Sequence, residues 1–341
     1  MDKKINLSFG AGGQKMEEFL RKHIIGKLDV CKNEKCLVGL DKMDDAGVLD
    51  IDGKKLAFTA DSFTVDPIFF PGGSIGKLSV CGIVNDLAVM GAKPLAMSLS
   101  LIIPSGFDVD ELEKVIKDVA NTAKKVRISI ICGDTKVVEG LDNLMISASG
   151  IGICEKVVKD SGARARDKIL INGSVANHGF AVLLAQKKFE FEGNIQSDVA
   201  PVWEIVEAVA KEIGWENIHA MKDPTRGGIS EALNEMAIKS GYVFEIEEKK
   251  IPVNESIRAL SEILGISPYD MSNEGKVLMV VDKSYEKEAL RVMKEFDESA
   301  NSIGEVKKEK SLGNLSVVLK TKENSFRYLQ RPLGDPVPRV C

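Results

Sequence analysis

The stretch Ser74-Ile75-Gly76-Lys77-Leu78-Ser79-Val80-Cys81-Gly82-Ile83-Val84-Asn85-Asp86-Leu87-Ala88-Val89-Met90-Gly91 decides the reading of the fold. Ser74 can cap a helix and Gly91 can stop one. Between them Ile75, Leu78, Ile83, Leu87 and Met90 recur near helical spacing. Just beyond, Leu95, Met97, Leu99 and Leu101 alternate with Ala96, Ser98 and Ser100, the period of a strand with one small face. A helix followed this closely by a strand points to an α/β chain. Ser79, Gly82 and Asp86 form a second, small and polar stripe on the helix. Glycine there costs about 1 kcal/mol against alanine, which close approach by backbone or ligand would explain. Asn85 and Asp86 therefore read either as ligands or as surface decoration.

Toward the N-terminus, Leu56 to Ser62 reads as a strand ending on the acid Asp61. Before it come Asp44-Asp45-Ala46-Gly47 and the turn Ser8-Phe9-Gly10-Ala11-Gly12-Gly13-Gln14-Lys15, with a short helix from Met16 to Ile25. Gly12 and Gly13 leave amides open to anionic oxygens, or simply make a flexible turn. Toward the C-terminus, Asp108 and Glu111 cap a helix. A strand from Arg127 to Cys132 leads into Gly133-Asp134-Thr135-Lys136, an acid, a hydroxyl and an ammonium at a strand end. Leu144 to Cys154 closes a first domain, 1–155.

The charged segment Lys156 to Lys168 marks a boundary, and the pattern restarts in a second domain, 156–325. Strands are read at Lys168 to Asn172, Val243 to Ile246, Val277 to Val281 and Leu315 to Leu319. Helices are read at His178 to Lys187, from Pro201 to Ile213, Ile229 to Ser240, Glu255 to Leu264 and Ser284 to Phe296. Asp223-Pro224-Thr225-Arg226-Gly227-Gly228 opens one helix as an anion site with an arginine beside it, or as an ordinary capped turn. Asn273-Glu274-Gly275 precedes an apolar strand. Glu274 there is either a base of raised pKa or a solvated turn residue.

Residues 326–341 form a tail that ends Arg331-Pro332-Leu333-Gly334-Asp335-Pro336-Val337-Pro338-Arg339-Val340-Cys341. Three prolines exclude a helix and favour an extended arm. A thiol on its last residue suits a group carried into a pocket; the plainer reading is a frayed end.

The totals bound the classes. With 341 residues two domains are expected, and a hydrophobic fraction of 44% with 28% charged residues is that of a globular protein. The net charge of −5 argues against nucleic-acid binding. No apolar run is long enough to cross a membrane and no export signal is evident, so a cytoplasmic protein is expected. Six cysteines without a Cys-x-x-Cys pair argue against a disulfide scaffold. Cys81, Cys132 and Cys154 read as buried small hydrophobes, while Cys31 and Cys36 flank a charged turn. His23, His178 and His219 lack zinc spacing. Asp44, Asp45, Asp61, Asp86, Asp134 and Asp223 each border an apolar element or a glycine turn. Together with glycine cradles they suggest magnesium bridged to a polyphosphate.

In order along the chain, Gly10-Ala11-Gly12-Gly13, Asp44-Asp45-Ala46, Thr59-Ala60-Asp61-Ser62, Asn85 to Pro94, Gly133-Asp134-Thr135-Lys136 and Asp223 to Gly228 resemble the ATP-binding superfamily of aminoimidazole ribonucleotide synthetase and selenophosphate synthetase. Asn273-Glu274-Gly275 and the terminal Pro338-Arg339-Val340-Cys341 are similar to the HypE family of hydrogenase maturation proteins. Phe9 departs from it, since these proteins commonly carry histidine before the first glycine. The resemblance implies an α/β (α+β), two-domain PurM-like fold. Its N-terminal mixed sheet with helices would form a barrel in a homodimer, and its C-terminal sheet would be flanked by helices. It implies ATP-dependent dehydration of an S-carbamoyl group on Cys341 to a thiocyanate, as a cyanide source for nickel–iron hydrogenase. ATP and Mg2+ would be the cofactors. The carbamoyltransferase HypF and the HypC–HypD complex would be partners, with no nucleic acid or membrane. Under it Cys341, Glu274, Lys136 and Arg226 are catalytic. Gly12, Gly13, Asp44, Asp61, Asn85, Asp134, Thr135 and Asn273 bind nucleotide, and Asp45, Asp86 and Asp223 bind metal. The alternatives are a selenophosphate-synthetase-like or other small-molecule enzyme of the superfamily, or a nucleotide-regulated docking module.

Overall fold

Helix α2 (Ile75–Val89) forms where the capping residues place it: Ser74 Oγ accepts the Lys77 amide at 3.3 Å. It is buried on nearly every side. The computed structural model describes residues 4–28, 33–187, 193–311, 313–334, 336–337 and 339–341. Cys31, Asp335 and Pro338 lie outside the described residues.

Around α2 stands a six-stranded mixed sheet built from β1 (Cys36–Val38), β2 (Gly47–Ile51), β3 (Lys54–Phe63), β6 (Ala92–Pro104), β7 (Ser129–Val138) and β8 (Met145–Cys154). The strand order is β1-β2-β3-β8-β6-β7, and only β6 and β7 run parallel. A small hairpin, β4 (Phe69–Phe70) with β5 (Gly73–Ser74), leads into α2. Alternation along β8 turns Ile146, Ala148 and Gly150 inward. Gly150 lies under Ile83 and Leu87 of α2, where any Cβ would collide. On β6 the expected small inner face does not hold: irregular register near Ala96 and Ser98 buries both Ala96 and Met97 and packs Leu99 and Leu101 against the core, while Leu95 is 38% exposed. Helix α3 (Val109–Val126) packs on α2, capped by Asp108 as its sequence predicts.

The second sheet holds β9 (Lys168–Ile171), β10 (Ile218–Lys222), β11 (Tyr242–Glu247), β12 (Leu278–Val281), β13 (Asn301–Lys310), β14 (Val317–Lys320) and β15 (Phe326–Tyr328). Its order is β10-β12-β9-β13-β11-β14-β15. The unbroken run Leu278-Met279-Val280-Val281 is explained by burial on both faces. Leu278 and Val280 join the cluster under α6 (Gly228–Ser240), and Met279 and Val281 join the cluster that holds α5 (Trp203–Ile213) and α8 (Glu286–Phe296). The remaining helices are α1 (Gly13–His23), α4 (Asn177–Lys187) and α7 (Glu255–Leu264). Among the described residues no helix is long and apolar enough to cross a membrane.

Three further expectations change. Gly133-Asp134-Thr135-Lys136 does not follow a strand but lies in the middle of β7. Gly133 permits close passage of the Leu99 carbonyl, just beyond the irregular register at Met97 and Ser98, a use of glycine that resembles a strand end in sequence. Cys132, on that same exposed edge strand, is exposed rather than buried. Residues 326–328 are strand β15, so the irregular tail starts at Leu329.

Candidate active site

Two cavities meet at Arg226 and Cys341. The first, of about 380 Å³, is lined among others by Asp44, Asp45, Asp61, Asp86, Asp223 and Glu274. These acids come from both domains: the turn before β2, the inner face of β3, α2, the end of β10 and the loop before β12. The second, of about 890 Å³, carries Lys15, Arg226 and Arg339 among apolar groups including Phe9, Phe19, Leu333 and Val337. One cavity is anionic and the other cationic and apolar.

Burial raises the pKa of Asp45, Asp61, Asp86, Asp223 and Glu274. Asp223 is pushed up to about 8 by burial and then by Asp45. Asp86 is raised well above the carboxylate range by burial, Asp223, Asp61 and Asp45. Thr59 Oγ1 holds it with a hydrogen bond of 2.6 Å. Glu274 is raised by burial and by Asp223, Asp198 and Asp61, with Arg226 opposing. Its Oε1 is buried without a partner, as is Oδ2 of Asp45. Asp45 Oδ1 accepts from Lys222 Nζ at 2.6 Å. Burial alone would discharge Lys222, but Asp45, Glu235 and Asp160 keep it charged.

Among the described residues no three His, Cys, Asp or Glu side chains converge closely enough to hold a metal by themselves. The donor set nevertheless fits magnesium. It offers hard carboxylate oxygens, one of them buried and unpartnered, whose mutual repulsion a divalent cation would relieve. Magnesium usually keeps several water and phosphate ligands, so a loose protein set is what it requires.

The tail reaches this place across the body. Arg331 is anchored by Glu231, by Glu17 at 2.7 Å and by Glu235 at 4.0 Å. Pro332 O then accepts the Gln14 amide at 3.4 Å, at the start of α1. Gly12 and Gly13 have φ of 72° each; a Cβ on Gly12 would meet Arg226, and one on Gly13 the carbonyl of Pro332. Their turn thus faces Arg226 and the tail, and lines a small pocket with Asp45 and Asp223. Cys341 borders both large cavities.

Other expected residues stand elsewhere. Asn85 does not line the cleft. Its Nδ2 donates to Ala200 O at 3.1 Å and Glu274 O at 3.2 Å, and its Oδ1 accepts the Val202 amide at 2.9 Å. Asn273 is used similarly: Oδ1 accepts from Ala176 N at 2.7 Å, and Nδ2 donates to Pro224 O at 2.8 Å. Both amides clamp the loops that carry Glu274 and Asp223. Asp134, Thr135 and Lys136 are exposed on β7, where Lys136 Nζ pairs with Asp134 at 2.6 Å, outside the cleft lining. Gly82 is explained by Phe63, whose ring would lie 2.7 Å from an added Cβ. Sequence reasoning missed Lys222. Its only signal is a lysine closing an apolar strand immediately before Asp223.

Known proteins share this fold. The AIR synthase related protein family matches over both parts, its N-terminal domain at residues 43–154 and its C-terminal domain at 164–314. A putative hydrogenase expression/formation protein of Methanocaldococcus jannaschii is 44% identical, over 99% of this chain and 100% of its own length. Carbamoyl dehydratase HypE of Escherichia coli is 32% identical, over 99% of both chains. The solved HypE–HypF complex superposes at a TM-score of 0.83 and 39% identity, covering 93% of this chain and 99% of that one. A HypE structure in complex with ATP gives 0.79 and 36%, covering 99% and 100%. Thiamine monophosphate kinase of Aquifex aeolicus shares the fold at a TM-score of 0.65 and 18% identity, covering 90% and 96%. The chain belongs to the HypE family of carbamoyl dehydratases within the AIR synthase related proteins.

Proposed function

We propose that this protein uses MgATP to dehydrate a carbamoyl group carried on the sulfur of Cys341, leaving a thiocyanate for hydrogenase maturation. The single observation that carries the reading is Cys341 bordering the cleft of Asp45, Asp61, Asp86, Asp223 and Glu274. An amide oxygen leaves poorly until it is phosphorylated. Attack of the carbamoyl oxygen on the γ-phosphorus, with loss of one N–H proton, gives a phosphorylated imidate. Loss of the second proton and of phosphate gives R–S–C≡N, ADP and phosphate, which balances as transfer of one water to ATP.

Asp45, Asp86 and Asp223 are the side chains that would hold magnesium, which when bound would supply positive charge against the phosphates; Asp44 and Asp61 line the same cavity. Glu274 is assigned as the base. Burial makes it a strong one, provided that a nearby cation draws off its proton at neutral pH. Arg226, at the meeting of both cavities, is assigned to phosphate. Gly12 and Gly13 are assigned to nucleotide.

The roles of Asp134, Thr135 and Lys136 require a second copy. The outer face of the first sheet exposes Phe58, Leu95 and Ile153, and the edge strand β7 exposes Ile131 at 65% and Val137 at 66%. Such an apolar edge suits a homodimer, in which Lys136 of each copy can approach a nucleotide near the interface. The relative solved with HypF makes a carbamoyltransferase of that kind the proposed donor. A HypC–HypD complex is the proposed acceptor, and the cytoplasm the proposed compartment.

A single-turnover phosphate assay tests the reading. The carbamoyl-loaded chain is expected to release one phosphate from MgATP per chain. Phosphate release at the same rate from unloaded chain or from Cys341→Ala would refute coupling to the tail.

A further inference from the structure

The last peptide of the tail is gripped by a side chain from α4. His178 is fully buried, and its Nε2 lies 2.7 Å from the carbonyl oxygen of Val340. Its Nδ1 lies 2.8 Å from Ser197 Oγ. Val340 O can only accept, so Nε2 carries a proton and donates it. With burial disfavouring a second proton the imidazole is neutral, and its Nδ1 accepts from Ser197 Oγ, which in turn accepts the Val199 amide at 3.0 Å. Burial lowers the pKa of His178, in keeping with that state. The Phe70 ring stands edge-on at 5.2 Å. Alongside, Thr64 N and Oγ1 donate to Cys341 O at 3.0 and 3.1 Å, and Asp66 N donates to Arg339 O at 3.1 Å.

We infer that His178, oriented by Ser197, is a positioning residue: a latch that holds Val340, and with it the sulfur of Cys341, in the docked state. The Val340 carbonyl is the natural point of control. It belongs to the peptide bond that carries Cys341, and Val340 is buried, so without His178 that oxygen loses its partner in an apolar place. At 64–66 the tail is held by backbone, by Thr64 Oγ1 and by Arg339, which donates to Thr64 O at 3.0 Å and pairs with Asp66 at 3.7 Å, and these contacts fix its path. His178 adds a donor from a different element, the second domain's α4, and so makes docking depend on both domains at once. A carbamoyl group must be loaded with the thiol out and dehydrated with the thiol in. A latch shifts the balance between those two states. The kinetic consequence rests on the function proposed above; the latch itself does not.

The test uses the full chain with Cys31, Cys36 and Cys132 replaced by serine, and reads alkylation of Cys341 by intact mass. In His178→Ala the alkylation rate is expected to rise about tenfold, the effect of one lost buried hydrogen bond on a two-state docking equilibrium. Ser197→Ala, which frees the tautomer, should show a smaller rise. His178→Gln keeps a donor and should fall between wild type and His178→Ala; it also serves as the test variant if His178→Ala does not fold. Unchanged alkylation in folded His178→Ala or, failing that, His178→Gln overturns the latch. With HypF-type transferase and MgATP, loading should be as fast as wild type or faster while dehydration slows. Equal slowing of both steps would mean general support of the fold and would also overturn it. Faster alkylation in a protein whose wild type shows neither loading nor dehydration would sustain the latch and refute the function.

Discussion

Glu274 meets the strictest demand on any single side chain here. As a base it must sit dry, strongly basic and aimed at an amide nitrogen, and its buried, unpartnered Oε1 is what that role needs. Glu274→Gln keeps the shape and removes the base. Dehydration by this variant should fall by about 10²–10⁴-fold with loading intact, read as mass loss from the carbamoylated chain. Asp223 gives a pH signature. Its folded pKa of about 8 lies above the ordinary unfolded value of about 3.9. The folded chain therefore binds the extra proton between those values, so this group's contribution is present below about pH 4 and lost as pH rises through about 8. In metal-free protein, Asp223→Asn should gain melting temperature over wild type as pH climbs from about 5 to about 9. A difference that stays flat contradicts the burial argument. Asp45, Asp61, Asp223, Arg226 and Cys341 could be picked out from sequence because each borders a glycine turn, a strand end or the chain terminus, and Asp86 because it shares a small polar stripe with Ser79 and Gly82 on α2. Asn85 and Asn273 could not be separated from ligands, because only the fold reveals which backbone groups an amide satisfies.

Helix α2 ties the first sheet to the second domain. Gly82 admits the Phe63 ring, so Gly82→Ala should destabilise by about 1–3 kcal/mol through overpacking. Asn85→Ala strands the Val202 amide and the carbonyls of Ala200 and Glu274, and should cost about 2–3 kcal/mol. Urea melts measure both, and Asn85→Ala should also slow dehydration by loosening Glu274. Elements with a clear period were readable: α7 runs from Glu255 to Leu264 and α2 is capped at Ser74, both as the sequence predicts. Strand β13 escaped because Lys307-Lys308-Glu309-Lys310 hides its alternation, and β10 because His219 and Lys222 interrupt its apolar run. Strand β7 was cut short because Gly133 reads as an end.

At the scale of the molecule, two domains supply acids to one cleft and the chain's last residue borders it. The sequence revealed the order of the motifs and the thiol at the end. It did not reveal that the tail would lie docked, since proline fixes a local shape and docking depends on distant partners such as His178, Thr64 and Glu231. Association of two copies is expected to bury β7, and Ile131→Glu should yield monomers by sedimentation and slow dehydration. A wild-type monomer with full activity would remove Lys136 from the mechanism. The most direct measurement follows the carbamoyl-loaded chain by intact and fragment mass spectrometry through one turnover with MgATP. The account predicts loss of one water from the C-terminal fragment that contains Cys341. A carbamoyl mass that persists there, or a loss that maps to any other residue, would contradict it.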